Sequence, residues 1–156
     1  MEQFIENRFF CPKAAKIKEY FFCGGLNCAE STMRFLIQEF GLNSGPELIK
    51  AMSGFGGGMQ RGLTCGAVTA AVAAIGLELG RVGPDMDRQP SADAVASFLQ
   101  YFEDKFGSIS CSELIAGYES KSAEMYEHCE EYIVAAAGYI SEHLNLNGTN
   151  KVNEKI

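Results

Sequence analysis

Apolar residues recur along most of this chain at the three- and four-residue spacing that places them on one face of a helix. The pattern predicts helices over these segments: Pro12 to about Phe22, Asn27 to Phe40, Pro46 to Phe55, Thr64 to Leu79, Ser91 to Phe106, Ser110 to about Ala116, and about Ser120 to Leu144. No segment has the sustained alternation with β-branched residues that is typical of a strand. The sequence therefore predicts an all-α fold, an irregular bundle of about six or seven helices.

The chain is short enough to form one domain, because it has 156 residues and a core of this size needs no disulfide staples. We predict a single helical domain over residues 1–144 and a flexible C-terminal tail over residues 145–156. The most apolar run, Ala67 to Leu77, is too short to cross a membrane. The opening residues lack the basic and apolar regions of a secretory signal, so a cytoplasmic location is expected.

Charge narrows the classes of partner. The net charge is −7 at pH 7, whereas nucleic acids and anionic membranes are bound by basic faces. We therefore predict neither a nucleic-acid partner nor a membrane partner. The six cysteines are expected to be thiols, metal ligands or transient redox partners, because stable disulfides are rare in a reducing cytoplasm.

Three of the cysteines directly follow a residue that is typical of a helix N-cap. Asn27, Thr64 and Ser110 are the predicted caps, and Cys28, Cys65 and Cys111 would then be the first residues of three helices. Glu30 and Glu113 are spaced to complete capping boxes with Asn27 and Ser110. The partial positive charge of a helix N-terminus favours thiolate over thiol, so these cysteines are predicted to have lowered pKa values.

Three thiolates brought together need a counter-charge, which a metal ion or an iron–sulfur cluster would supply. Cys129 on the last helix is the natural fourth ligand, and His128 is its substitute. The chain has no C-x-x-C pair, which argues against a zinc ribbon or a ferredoxin-type loop. A site built from these cysteines would therefore collect its ligands from distant helices.

The glycine-rich segment GFGGGMQRG runs directly into Cys65. Its amides would be available to hydrogen-bond a thiolate or a sulfide, and on this interpretation the residues near the cysteine site are Gly56, Gly57, Gly58, Arg61 and Gly66. The alternative is a tight connection between two helices. A phosphate-binding loop is disfavoured, because no strand precedes the segment and it lacks the Walker pattern.

The segments NCAES, GFGGGMQRG, TCGAV and FGSISCSEL, with the late Cys129, resemble the redox-active protein family named after its C_GCAxxG_C_C cysteine pattern. The resemblance extends from about Phe21 to about Tyr139. It carries the four family cysteines onto Cys28, Cys65, Cys111 and Cys129, and it implies a redox role with a bound iron–sulfur group. The family's CGAxxG motif reads CGAVTA here, with Ala70 in place of the last glycine.

Three hypotheses follow, and whether the protein is an enzyme stays open. The first is a small redox protein whose four cysteines bind an iron–sulfur cluster for electron transfer, with an electron-transfer or oxidoreductase protein as its partner. The second is a thiol–disulfide oxidoreductase or redox sensor that uses the same thiols, with Cys23 as a resolving thiol. Cys11, before Pro12, is interpreted as structural or exposed. The third is a structural zinc protein or a metal-free helical adaptor. Homo-oligomer formation stays open in all three.

Overall fold

The computed structural model describes Ile17 and residues 19–146, and of Phe22 and Cys23 it describes the backbone alone. Six α-helices follow one another in this part of the chain: α1 (Cys28–Phe40), α2 (Pro46–Ala51), α3 (Gly66–Leu79), α4 (Gln89–Phe106), α5 (Cys111–Leu114) and α6 (Ala123–His143). Short helical turns of other types span Glu19–Cys23, Met52–Phe55 and Gly58–Gly62. These described residues form no strand, and the predicted all-α fold is confirmed.

Local signals in the sequence set several helix ends. Asn27 caps α1, and Gly41 ends it in the left-handed conformation with φ of 72°. Pro46 occupies the first turn of α2, where its missing N–H is not needed. Gly80 and Gly107 follow α3 and α4 as predicted, and Gly107 has φ of 83°.

Other helix ends differ from the prediction. Helix α4 begins at Gln89, ahead of Ser91, and α5 is a single turn that ends at Leu114. Helix α6 begins at Ala123, where the Ser122 side chain accepts a hydrogen bond from the Met125 amide at 3.1 Å. The predicted first helix, from Pro12, and the predicted tail, residues 145–156, lie mostly outside the described residues.

The core forms where α1, α3 and α6 pack against one another, with α4 laid on α3. Its largest fully buried apolar side chains come from these helices and from the segment before α1: Ile17, Met33, Leu36, Val68, Ile75, Phe98, Phe102, Ile133 and Ile140. Helix α3 adds four alanines with no exposed surface: Ala67, Ala70, Ala71 and Ala74. Small side chains let the neighbouring helices approach α3 closely, which brings the start of α3 against the start of α1.

No helix in the described part of the chain is both long enough and apolar enough to cross a membrane.

Candidate functional site

Four cysteines from four different elements lie together at one end of the bundle. Cys28 is the first residue of α1, Cys65 precedes α3, Cys111 opens α5, and Cys129 lies within α6. Their thiols interact electrostatically in all six pairings, since a negative charge on one raises the pKa of another. All four are free thiols. The fold therefore assembles one cluster of four sulfurs from residues that are far apart in the sequence.

The capping box at the start of α1 positions Cys28. The Asn27 side chain accepts a hydrogen bond from the Glu30 amide at 2.9 Å, and the Asn27 amide donates to the Glu30 carboxylate at 2.8 Å. Ser53 then ties this helix end to the Met52–Phe55 turn. Its hydroxyl donates to the Glu30 carboxylate at 2.7 Å, and its backbone carbonyl accepts a hydrogen bond from the Asn27 side-chain Nδ2 at 3.0 Å. The predicted capping box at Asn27 is confirmed.

The surroundings of Cys28 combine burial with nearby amide groups. Burial has the largest effect on the Cys28 thiol and raises its pKa, while the amides of Gly57, Ala29 and Gly66 lower it. The net result is a raised pKa, so the prediction that the helix N-terminus would lower it is wrong. Desolvation disfavours the charged form more than the amide dipoles favour it.

An isolated antiparallel bridge between Thr64 and Ser110 holds the next two cysteines side by side. The Cys65 amide donates to the Ile109 carbonyl at 2.8 Å, and the Cys111 amide donates to the Leu63 carbonyl at 2.6 Å. Thr64 belongs to the bridge, so α3 begins at Gly66 and Cys65 itself occupies the N-cap position. The prediction of Thr64 as the cap was therefore wrong by one residue.

Burial, and then the charge of Cys28, raise the pKa of Cys65 to about 12, against a lowering by the first amides of α3. Cys111 is half-buried, and burial followed by the charge of Cys28 raises its pKa as well. The predicted lowering of these two pKa values is thus also wrong. Both shifts favour the neutral thiol over the thiolate.

The second predicted capping box does not form. Ser110 is the N-cap of α5 but makes no cap hydrogen bond, and its hydroxyl instead lies 3.4 Å from the Gly62 carbonyl and 3.1 Å from the Ser112 hydroxyl. The Glu113 carboxylate accepts a hydrogen bond from the Ser108 hydroxyl. The start of α5 is therefore held by the bridge to the segment before α3 rather than by its own cap.

Glycines pack directly against the cysteines. A Cβ atom on Gly66 would clash with the Cys28 sulfur and would lie 3.0 Å from the Phe55 carbonyl oxygen. A Cβ on Gly58 would lie 2.8 Å from the Cys111 Cβ, and one on Gly56 would lie 2.6 Å from the Asn27 side chain. The backbone approaches the cysteine cluster so closely that no side chain fits.

Of the five loop residues predicted near the site, Gly56, Gly57, Gly58 and Gly66 line the cysteines or their caps. The fifth, Arg61, is exposed and makes no hydrogen bond or ion pair with the described residues.

The loop also contains a left-handed turn that the sequence did not predict. Gly57, Gly58, Met59 and Gln60 all have positive φ, and Met59 and Gln60 have values of 57° and 61°. An L-residue in this conformation costs roughly 1–2 kcal/mol. The Gln60 side chain donates to the Gly56 carbonyl at 3.0 Å, which stabilises the turn from within.

Cys129 interacts electrostatically with two tyrosines of its own helix. Burial, and then the charges of the other three cysteines, raise the pKa of Cys129 to about 12. Cys129 in turn raises the pKa of Tyr126 and Tyr132, each after the larger effect of burial. The Tyr132 hydroxyl donates to the Leu114 carbonyl at 2.9 Å, which ties α6 to the end of α5.

Sequence reasoning missed Tyr132, although its position one turn after Cys129 on the same helix face was a usable signal. The ring of His128, the substitute ligand, lies 4.4 Å from the Tyr118 ring between centroids and is tilted by 33° to it. The same imidazole lies 3.8 Å from the Glu131 carboxylate.

The arrangement of the four cysteines bears on which metal group they could bind. In the described part of the chain, no group of three or more histidine, cysteine, aspartate or glutamate side chains is arranged to hold a metal ion. A single zinc ion at about 2.3 Å from each sulfur would draw four thiolates to within about 4 Å of one another. Cys11 lies outside the described residues, as does the side chain of Cys23, so the prediction of a resolving thiol stays a prediction.

Fold and site together define a small helical protein built around a cluster of four cysteines. Residues 26–143 match a family model described as "Putative redox-active protein (C_GCAxxG_C_C)". This match covers well over half of the chain, so the protein belongs to that family, and the resemblance inferred from its motifs is confirmed. Neither the curated proteins nor the solved structures compared with the chain gave a match.

Proposed function

We propose that Cys28, Cys65, Cys111 and Cys129 bind an iron–sulfur cluster and that the protein transfers single electrons to and from a partner protein. The observation that carries this proposal is the convergence of four electrostatically coupled thiols from four separate elements. Membership of a family described as redox-active agrees with it. The bound cluster would supply a one-electron couple, which none of the described side chains offers by itself near neutral pH.

The donor set fits such a cluster. Iron–sulfur clusters are held by four cysteine thiolates, and irons supply the positive charge that four buried thiolates require. The raised pKa values of the free thiols have the same cause, which is the lack of a positive charge beside them. Burial and mutual repulsion disfavour ionisation until a cation is present.

The surrounding backbone has a definite role in this proposal. The amides of Gly57, Ala29 and Gly66 lie close to the Cys28 sulfur and stabilise negative charge on it. Amide groups near the sulfurs raise the reduction potential of a bound cluster, because reduction adds negative charge. The absence of side chains at Gly58 and Gly66 lets the backbone come this close.

The thiol–disulfide alternative requires a thiol that ionises readily and is accessible. Burial raises the pKa of all four cysteines, and Cys65 and Cys129 have values of about 12. A small fraction of each would be thiolate at neutral pH, which makes each a slow nucleophile. This electrostatic setting favours ligation over disulfide exchange.

Anaerobic purification tests the proposal directly. We expect a coloured protein with iron and acid-labile sulfide in equal amounts, and loss of most of the iron when any of Cys28, Cys65, Cys111 or Cys129 is changed to serine. Cys11→Ser is the matched control and should keep the colour. A colourless, iron-free protein would refute the cluster. Thiol counts before and after reduction would then identify a reversible disulfide, and stoichiometric zinc would identify a structural zinc site.

A further inference from the structure

Two exposed apolar side chains lie on the segment that packs against Cys111. Met59 is 40% exposed and Leu63 is 52% exposed. Both belong to the segment that packs on Cys111: a Cβ on Gly58 would lie 2.8 Å from the Cys111 Cβ, and the Leu63 carbonyl accepts from the Cys111 amide at 2.6 Å. Cys111 is also the least buried of the four thiols. The two exposed side chains therefore flank the most accessible edge of the cysteine cluster.

The other exposed large hydrophobic side chains of the described residues lie elsewhere: Leu77, Val82, Met86 and Val134. Three of them lie at the far end of α3 or in the loop after it. Helix α3 has 14 residues, so that end is about 20 Å from Cys65 at a rise of about 1.5 Å per residue. Val134 lies on α6, five residues after Cys129 and therefore about 140° around the helix from it. Met59 and Leu63 are the exposed pair whose segment packs on Cys111.

Arg61 adds a positive charge to the same segment, between Met59 and Leu63 in the sequence. It is exposed and makes no hydrogen bond or ion pair with the described residues, in a chain of net charge −7. An exposed guanidinium flanked by apolar side chains is suited to a carboxylate that brings apolar surface with it. A local cation in an acidic protein also orients an acidic partner toward this spot.

The backbone beneath this surface is held in an unfavourable conformation. Met59 and Gln60 have positive φ, which costs roughly 1–2 kcal/mol for each L-residue. Strain of this kind persists where the surrounding structure over-determines it, typically at binding sites. Here the turn brings its glycines against the cysteines while it leaves Met59 exposed.

We propose that Met59, Arg61 and Leu63, together called the docking surface, receive a partner protein that presents carboxylates around an apolar centre. This inference rests on the proposed function, because the partner would be the one-electron carrier that the cluster requires. The docking surface would bring that carrier to the edge of the site where the thiols are least covered.

Electron exchange with an acidic carrier tests the docking surface in the cluster-loaded protein. The probe is a reduced plant-type ferredoxin, followed by stopped-flow absorbance. Arg61→Glu should lower the second-order rate constant at least about fivefold more than Arg88→Glu, which makes the same charge change beyond the far end of α3. Leu63→Ser should lower it more than Val82→Ser, since Val82 is fully exposed in that distant loop. Equal effects within each pair would overturn the proposal.

A second arm does not depend on the cluster. The probe is the dianionic aromatic disulfide 5,5′-dithiobis(2-nitrobenzoate), which combines carboxylates with apolar surface as the proposed partner does. It is applied to the metal-free full chain with Cys11→Ser and Cys23→Ser. The Cys111 thiolate attacks one sulfur, a mixed disulfide forms, the reagent's S–S bond breaks, and thionitrobenzoate leaves as a coloured anion. The Cys111→Ser variant identifies this phase.

We expect Arg61→Glu to slow the Cys111 phase more than Arg88→Glu, and Leu63→Ser to slow it more than Val82→Ser. Equal rates within each pair would overturn the docking surface even in a protein that binds no cluster. A colourless wild type with unequal rates would overturn the proposed function and keep the docking surface. Sedimentation of the same variants tests whether a second copy of the chain binds the docking surface instead of a carrier. If the wild type is a dimer that Leu63→Ser dissociates, the second copy covers these residues, and the proposal of a carrier is overturned.

Discussion

Thr64 and Ser110 pair across an antiparallel bridge, and each is followed directly by a cysteine. The two hydrogen bonds beside the bridge join the Cys65 amide to Ile109 and the Cys111 amide to Leu63, at 2.8 Å and 2.6 Å. Backbone pairing thus sets the relative position of two thiols that helix packing alone would leave less defined. After the bridge, each of the two segments continues into its own helix. The two cysteines therefore lie where α3 and α5 begin and diverge.

Gly66→Ala should damage the site more than the fold as a whole. The added Cβ would clash with the Cys28 sulfur and lie 3.0 Å from the Phe55 carbonyl oxygen, and overpacking of this kind costs about 1–3 kcal/mol. Gly76→Ala on the same helix is the control, because its Cβ meets open space, and it should stabilise by about 0.5–1 kcal/mol. Urea unfolding and iron content would be measured together. Full iron occupancy in Gly66→Ala would contradict the close approach.

Asn27→Ala should loosen the start of α1. The substitution removes the cap of the Glu30 amide and the bond to the Ser53 carbonyl, and loss of such a cap costs about 0.5–2 kcal/mol. Ser122→Ala removes the comparable cap of α6 and should cost a similar amount. We expect only Asn27→Ala to shift the reduction potential or the visible spectrum, because Cys28 follows this cap directly. Identical spectra in the two variants would argue that the cap acts on stability alone.

Met59→Gly should stabilise the protein. Glycine adopts positive φ without steric penalty, so the change relieves about 1 kcal/mol of backbone strain, less the added entropy of the unfolded chain. Lys121→Gly makes the same exchange at φ of 60° away from the loop. Both midpoints of urea unfolding should rise, and only Met59→Gly should alter electron exchange with ferredoxin. A lower midpoint for Met59→Gly would mean that contacts of the methionine side chain outweigh the strain.

Tyr20 should make stability depend on alkaline pH. Burial, and then the hydrogen bond and charge of Glu39, raise its pKa from 10.0 to about 12. Between these values the folded state keeps a proton that the unfolded state loses, so this contribution is present below about pH 10 and falls as pH rises toward about 12. Tyr20→Phe should flatten the dependence, as measured by urea unfolding at several pH values. Equal slopes in the two proteins would assign the effect to another group.

The sequence predicted best where the signals are local. Helix α1 has a capping box at Asn27 and a terminal glycine at Gly41, and both ends were predicted to the residue. The cap of α3 was misplaced because Thr64 pairs with Ser110, a partner that no local pattern reveals. The pKa direction was wrong for the same kind of reason, since the sequence shows a helix start but not the burial that the packed bundle imposes on it.

The left-handed turn from Gly57 to Gln60 escaped prediction because two of its residues are not glycine. Positive φ at Met59 and Gln60 is the mirror image of the conformation that L-residues prefer. A D-residue at either position would occupy its own preferred region, so a semisynthetic chain with one D-amino acid there would match the native backbone. The segment beside the cysteines thus has, for these residues, the opposite hand to the helices that carry them.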